Sequence, residues 1–139
     1  MATTKFILRI GLALLVAAGV GWVLGASGRS NSDRALQIAD LRAELLEGRA
    51  AVLDARLDIY SINFGNASRH FEAARTALRA ANQRLMSLSR TEDAKSLEAA
   101  LTRIDEAQRA AGQLNQDANA LAADAAKTIG DVLGRIANR

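Results

Sequence analysis

The sequence has no cysteine and no proline, one histidine, and only three phenylalanines, one tyrosine and one tryptophan among 139 residues. Without cysteine there is no disulfide framework and no thiolate metal site, and the redox compartment stays open. Without proline, and with thirty alanines beside abundant leucine, arginine and acid, the chain favours helix throughout and offers little to a β-sheet. The expected fold class is all-α. Chemistry is scarce too. There is no phosphate-cradling glycine loop, nucleophile elbow or dinucleotide fingerprint. His70 has neither a Glu-x-x-His motif nor a cysteine nearby, so it cannot build a metal site alone and is read as a structural or surface residue. The acidic pairs Asp54/Asp58, Glu92/Asp93 and Asp105/Glu106 read as solvated faces or helix-start acids. No enzyme, no cofactor and no small-molecule substrate is expected. Nucleic acid is not an expected partner either, because the arginines are not interleaved with exposed aromatics and no binding motif for it is present.

What the chain does have is an apolar run, Ile10 to Ala26, seventeen residues without a charge. As a helix it spans about 26 Å; extension back to Phe6 gives about 31 Å, enough to cross a hydrocarbon core with Arg9 reaching the headgroups. Trp22 marks the other interface. A cleavable signal peptide is the competing reading, since Lys5 and Arg9 precede the run and Ala26-Ser27-Gly28 supplies small residues after it; the expectation is a retained single-pass anchor. Lys5, Arg9 and the amino terminus against Arg29 and Arg34 tilt the positive-inside rule toward a cytoplasmic N-terminus. That places the remaining chain on the extracytoplasmic, periplasmic side of a bacterial inner membrane. Along the anchor Ala13, Ala17, Gly21 and Gly25 recur every fourth residue, a stripe where another transmembrane helix can approach closely.

The expected organisation is an anchor over residues 1–27, a linker over 28–32 and a helical domain over 33–139. Gly25 to Ser32 combines glycine, serine and asparagine, poor helix residues, and Ser32-Asp33 supplies an N-cap with a first-turn acid. From Leu36 to Leu88 an apolar residue recurs at alternating spacings of three and four, a heptad seam that includes Leu57, Tyr60, Phe64, Phe71, Leu78 and Leu85. A second stripe, Ile38, Leu41, Leu45, Val52, Ile59 and Ile62, runs beside its first half, so that part should touch more than one neighbour. Ser61 to Ser68 breaks the propensity but not the phase; a turn is expected at Asn63 to Asn66, with Gly65 as its left-handed residue. Ser89-Arg90-Thr91-Glu92 matches a capping box and starts a new helix near residue 92. A last heptad then runs through Ile104, Ala107, Ala111, Leu114, Ala118 and Val132. The expected helices are 33–62, 66–89 and 92–137, packed antiparallel as a hairpin or three-helix bundle with coiled-coil heptads; the alternative is one bent helix over 33–89. Ala55 to Leu78 resembles the helix-turn-helix of a tetratricopeptide unit through Phe64, Ala67, Phe71 and Ala74. It lacks the closing proline and has no second copy about 34 residues on, so no repeat architecture follows.

Charge sorts by segment. Residues 33–58 carry four arginines against six acids, net −2; residues 59–91 carry five against one, net +4; residues 92–139 carry six bases against eight acids, net −2. The basic set Arg69, Arg75, Arg79 and Arg84 serves either as complement to acidic neighbours in a bundle or as a surface for an anionic partner. The expected role is that of a non-catalytic accessory or structural subunit of a larger membrane complex, for example an energy-transducing one, with the bilayer and other transmembrane proteins as partners. The alternative is an independent, self-associating coiled-coil tether or adaptor for an envelope or soluble partner.

Overall fold

The computed structural model describes residues 32–138. The anchor, its Ala13, Ala17, Gly21 and Gly25 stripe, Arg9, Trp22 and nearly all of the linker lie outside the described residues. Among the described residues no helix is long and apolar enough to cross a membrane. The chain divides into two compact units, residues 1–37 and Ile38–Arg139. Of the first, only residues 32–37 are described; they are helical and exposed.

The second unit is all-helical, with no strand among its described residues. Its first helix, α1, runs to residue 60; α2 is Phe64–Ser87, α3 Thr91–Gly112 and α4 Asp117–Ala137. The expected turn after α1 is present, so the single bent helix is excluded. The hairpin or three-helix expectation is corrected to four helices, because the predicted 92–137 helix breaks after Gly112. Leu114 turns left-handed there (φ 56°), and the Asn115 side chain accepts a hydrogen bond from the Asp117 amide at 2.8 Å. Heptad phase concealed the break. Ala111 and Ala118 are both fully buried but sit on different helices, while Leu114 between them is exposed.

All three turns have the same construction. The amides of Asn63, Arg90 and Asn115 donate to the carbonyls of Asp58, Leu85 and Ala110, and the amides of Ile62, Ser89 and Leu114 donate to Ile59, Met86 and Ala111. This is the paired six-to-one and five-to-two bonding of a Schellman C-cap, which needs a left-handed residue just past the helix. Ile62 (φ 60°), Ser89 (58°) and Leu114 (56°) occupy that position, and no glycine among the described residues has positive φ. The left-handed residue of the first turn is therefore Ile62 and not Gly65, which lies inside α2. Asn63 caps α2, its side chain accepting from the Asn66 amide. The capping box at Ser89 does not form, because Ser89 is used as the C-cap residue and α3 starts from Arg90 without a side-chain cap.

The helices run up, down, up and down, each packed on the next. Arg84 reaches Glu44 and His70 reaches Asp58 between α1 and α2. Arg75 reaches Asp105, and Gln108 reaches Ser68, between α2 and α3. Arg135 reaches Asp93 between α3 and α4. Between α4 and α1, Arg42 reaches Ile136, Arg49 reaches Ala126 and Arg56 reaches Asn119. The first residue number rises as the second falls in every multi-contact pair, so each neighbouring pair is antiparallel and the bundle closes between its first and last helices. Its core is largely alanine with Leu41, Leu45, Val52, Ile59, Phe71, Leu78, Leu85, Leu97, Ile104, Ile129 and Val132 as the larger fully buried groups. Small seam residues bring backbones close: a Cβ placed on Gly48 would lie 2.5 Å from the Leu78 side chain.

The predicted seam needs one further correction. Phe71, Leu78 and Leu85 are fully buried and Phe64 is partly buried, but Leu57 and Tyr60 face solvent. In α1 the second stripe fills the core instead, through Leu41, Leu45, Val52 and Ile59. A helix with two apolar stripes in a closed four-helix bundle can turn only one inward. The inward one carries Leu, Val and Ile where the other carries several alanines, so it removes more apolar area from water.

Candidate functional site

The outward stripe of α1 is the least satisfied feature of the bundle. Its heptad positions are Ala43, Ala50 and Leu57 at a, and Leu46, Leu53 and Tyr60 at d. Leu46, Leu57 and Tyr60 are 55, 67 and 81 % exposed, and the left-handed Ile62 just beyond them is 71 % exposed. Leu53 alone turns partly into the core. The other large exposed apolar residues of this unit, Met86 and Leu114, stand on different elements.

Charges flank the stripe at the same period. On one side, at g, stand Arg42, Arg49 and Arg56; on the other, at e, stand Asp40, Glu47 and Asp54. The three arginines lean toward α4. An Arg42 Nη donates to the Ile136 carbonyl at 3.2 Å, Arg49 Nε to the Ala126 carbonyl at 3.3 Å, and Arg56 Nε to Asn119 Oδ1 at 2.8 Å. Gly130 leaves room for the Arg49 guanidinium, whose Nε would lie 3.5 Å from an added Cβ. None of the three forms an ion pair with a carboxylate among the described residues, and each retains further N–H donors of its fork. At e, Asp40 meets Arg84 at 3.4 Å; Glu47 and Asp54 are exposed, without an ion pair among the described residues. These two triplets of opposite sign, each seven apart, are legible in the sequence as the g and e positions of the α1 heptad.

The predicted basic surface is divided by the fold. Arg69 and Arg79 are exposed. Arg75 is held between Glu72 and Asp105, and Arg84 between Glu44 and Asp40. Hydrogen bonds that Arg75 donates to Glu72 and Asp105 raise it above the usual guanidinium value, and the bond that Arg84 donates to Glu44 does the same there. Asp93 is the buried charged side chain of the bundle. Burial pushes its carboxyl up, but the hydrogen bonds from Arg135 and Arg90, each 2.7 Å, outweigh that and hold it below the ordinary aspartate value. It ties the start of α3 to the end of α4. His70 lies 3.4 Å from Asp58, a contact between α1 and α2. Among the described residues no group of three or more His, Asp or Glu could hold a metal ion. Two clefts among the described residues are shallow: one is lined by Glu44, Gln83 and Arg84, another by Arg75, Asp105, Gln108 and Arg109; Arg84 is engaged by Glu44 and Arg75 by Asp105, while Arg109 donates to the Asp105 carbonyl. The paired side chains latch helices together. Comparison with known proteins gives no match, whether to a family model, a curated protein or a solved structure.

Proposed function

We propose that the chain is a non-catalytic, single-pass membrane protein whose four-helix domain serves as an accessory or structural subunit of a larger membrane assembly, with Ile10–Ala26 as its anchor and the domain on the extracytoplasmic side. One observation carries this reading. A bundle already closed on itself leaves a heptad-spaced row of large apolar side chains on α1 in water, and contiguous exposed apolar surface of that kind marks contact with another protein. The engagement of the clustered charges in helix-to-helix latches supports a binding module over a catalytic one. Alkaline extraction of membranes followed by mild-detergent solubilisation and native sizing tests it. The chain stays with the membrane and migrates with other membrane proteins if the reading holds. Recovery in the soluble fraction, or migration as a bare monomer, overturns it.

The oppositely charged flanks of the α1 stripe favour a second reading, a self-associating membrane-anchored tether or adaptor. Heptads with complementary e and g charges are a pairing code for helices. The two readings part on whether a purified chain associates with itself.

A further inference from the structure

We propose that α1 pairs with α1 of a second copy of this chain, parallel and in register, through the outward stripe. This deepens the self-associating reading above by naming the partner surface and its direction. The occupant follows from charge. In a parallel pair, g of one helix faces e of the other one heptad on, which sets Arg42 against Glu47 of the second copy and Arg49 against its Asp54, twice by symmetry. In an antiparallel pair, g faces g and e faces e, so arginines would meet arginines and acids would meet acids. The unpaired carboxylates of Glu47 and Asp54 and the remaining donors of Arg42 and Arg49 thus complement a second α1 in one direction only. The apolar side agrees. Ala43 and Ala50 at a permit close approach, Leu57 follows at a, and Leu46 and Tyr60 at d are exposed by 55 and 81 %. A two-fold axis along α1 keeps both amino-terminal ends on one side, as two chains anchored in one bilayer require.

The absence of cysteine from the chain makes the test direct. The full chain in detergent micelles is prepared as Ala43→Cys, as Ala50→Cys and, with an exposed residue of α3 as control, as Thr102→Cys, and each is exposed to mild oxidant. Facing a positions of a parallel pair lie within disulfide reach, so the first two give covalent homodimers and the control does not. A second arm uses Glu47→Arg/Asp54→Arg, two exposed positions outside every helix latch, in the Ala50→Cys background, with circular dichroism to confirm the fold. It should lose self-association by roughly a hundredfold and regain it when mixed with Arg42→Glu/Arg49→Glu chains. Absence of cross-linking at residues 43 and 50, linking of Ala43→Cys to Tyr60→Cys in its place, as the a-against-d layers of an antiparallel pair would allow, or a dimer indifferent to the charge reversal each overturns the proposal. So does a monomeric chain whose stripe is occupied by a different protein. A chain that cross-links as expected yet leaves the membrane fraction upholds α1 pairing and overturns the anchored role, so the two failures are separable.

Discussion

Replacing Gly48 by alanine sets two known effects against each other. Alanine in a helix interior is favoured over glycine by about 1 kcal/mol. Against that, the new methyl would lie 2.5 Å from Cδ2 and 2.6 Å from Cγ of Leu78. Leu78 is itself fully buried, so swinging its Cγ away about χ1 would drive the side chain into core neighbours packed at interior density, and the cheaper relief is for the helices to part. Overpacking of this kind costs about 1–3 kcal/mol. The expected net is a loss of about 1 kcal/mol, which for a unit of this size lowers Tm by roughly 4–8 °C. Gly130→Ala is the internal control, since its methyl meets Arg49 Nε at an ordinary 3.5 Å, and it should gain up to about 1 kcal/mol. Thermal and urea unfolding of the full chain, followed by far-UV circular dichroism, reads both. If Gly48→Ala stabilises as much as Gly130→Ala, α1 and α2 do not approach as closely at 48 and 78 as described, and the reasoning fails.

Ile62→Gly should raise stability by about 0.5–1 kcal/mol, since relief of left-handed strain exceeds the added chain entropy; an unchanged or lower midpoint in urea would show that the strain is absent. Asp93→Asn should cost about 2 kcal/mol near neutral pH by leaving Arg90 and Arg135 unpaired. Because the folded carboxyl is held below its ordinary value of 3.8, that contribution is fully present above this pH and disappears as the pH falls through the lower, folded value; a gap between variant and parent that widened in acid would contradict it. Arg49→Met should lose about 1 kcal/mol through the Ala126 carbonyl bond. At protein concentrations too low for α1 to pair, the loss should be the same in unfolding measured at low and at high salt, because the remaining acceptor is a neutral carbonyl and not a screened carboxylate.

Periodicity gave away the helical class and the first reversal, because a run of Ser, Asn and Gly between apolar stripes has few other uses. It could not say which stripe of α1 turns inward. Leu57 and Tyr60 fit the seam as well as Ile59 does until a fourth helix supplies walls on both sides of α1. That fourth helix was hidden because the break at 113–116 preserves heptad phase and because a leucine occupies the left-handed position where a glycine would have announced a turn. The same disguise put Gly65 in place of Ile62. Gly48 could have been noticed, since a glycine inside a strong helical pattern calls for a packing reason. The arginine ladder is legible from its spacing of seven, but whether Arg42, Arg49 and Arg56 face carboxylates or carbonyls depends on α4, which heptad phase alone does not separate from α3.

The contact between Arg42 and the Ile136 carbonyl has a topological consequence. An even number of antiparallel helices brings the end of α4 back beside the beginning of the bundle, so residue 38 and residue 137 share one pole with the 88–90 turn, while the 61–63 and 113–116 turns share the other. Joining the two ends and cutting between Leu88 and Arg90 would give a circular permutant with every helix still beside the same neighbours. Helix order along the chain is then separable from helix order in space. The pole that carries Ile62 and Leu114 holds two turns, and a label placed at residue 137 sits a full bundle length away from it.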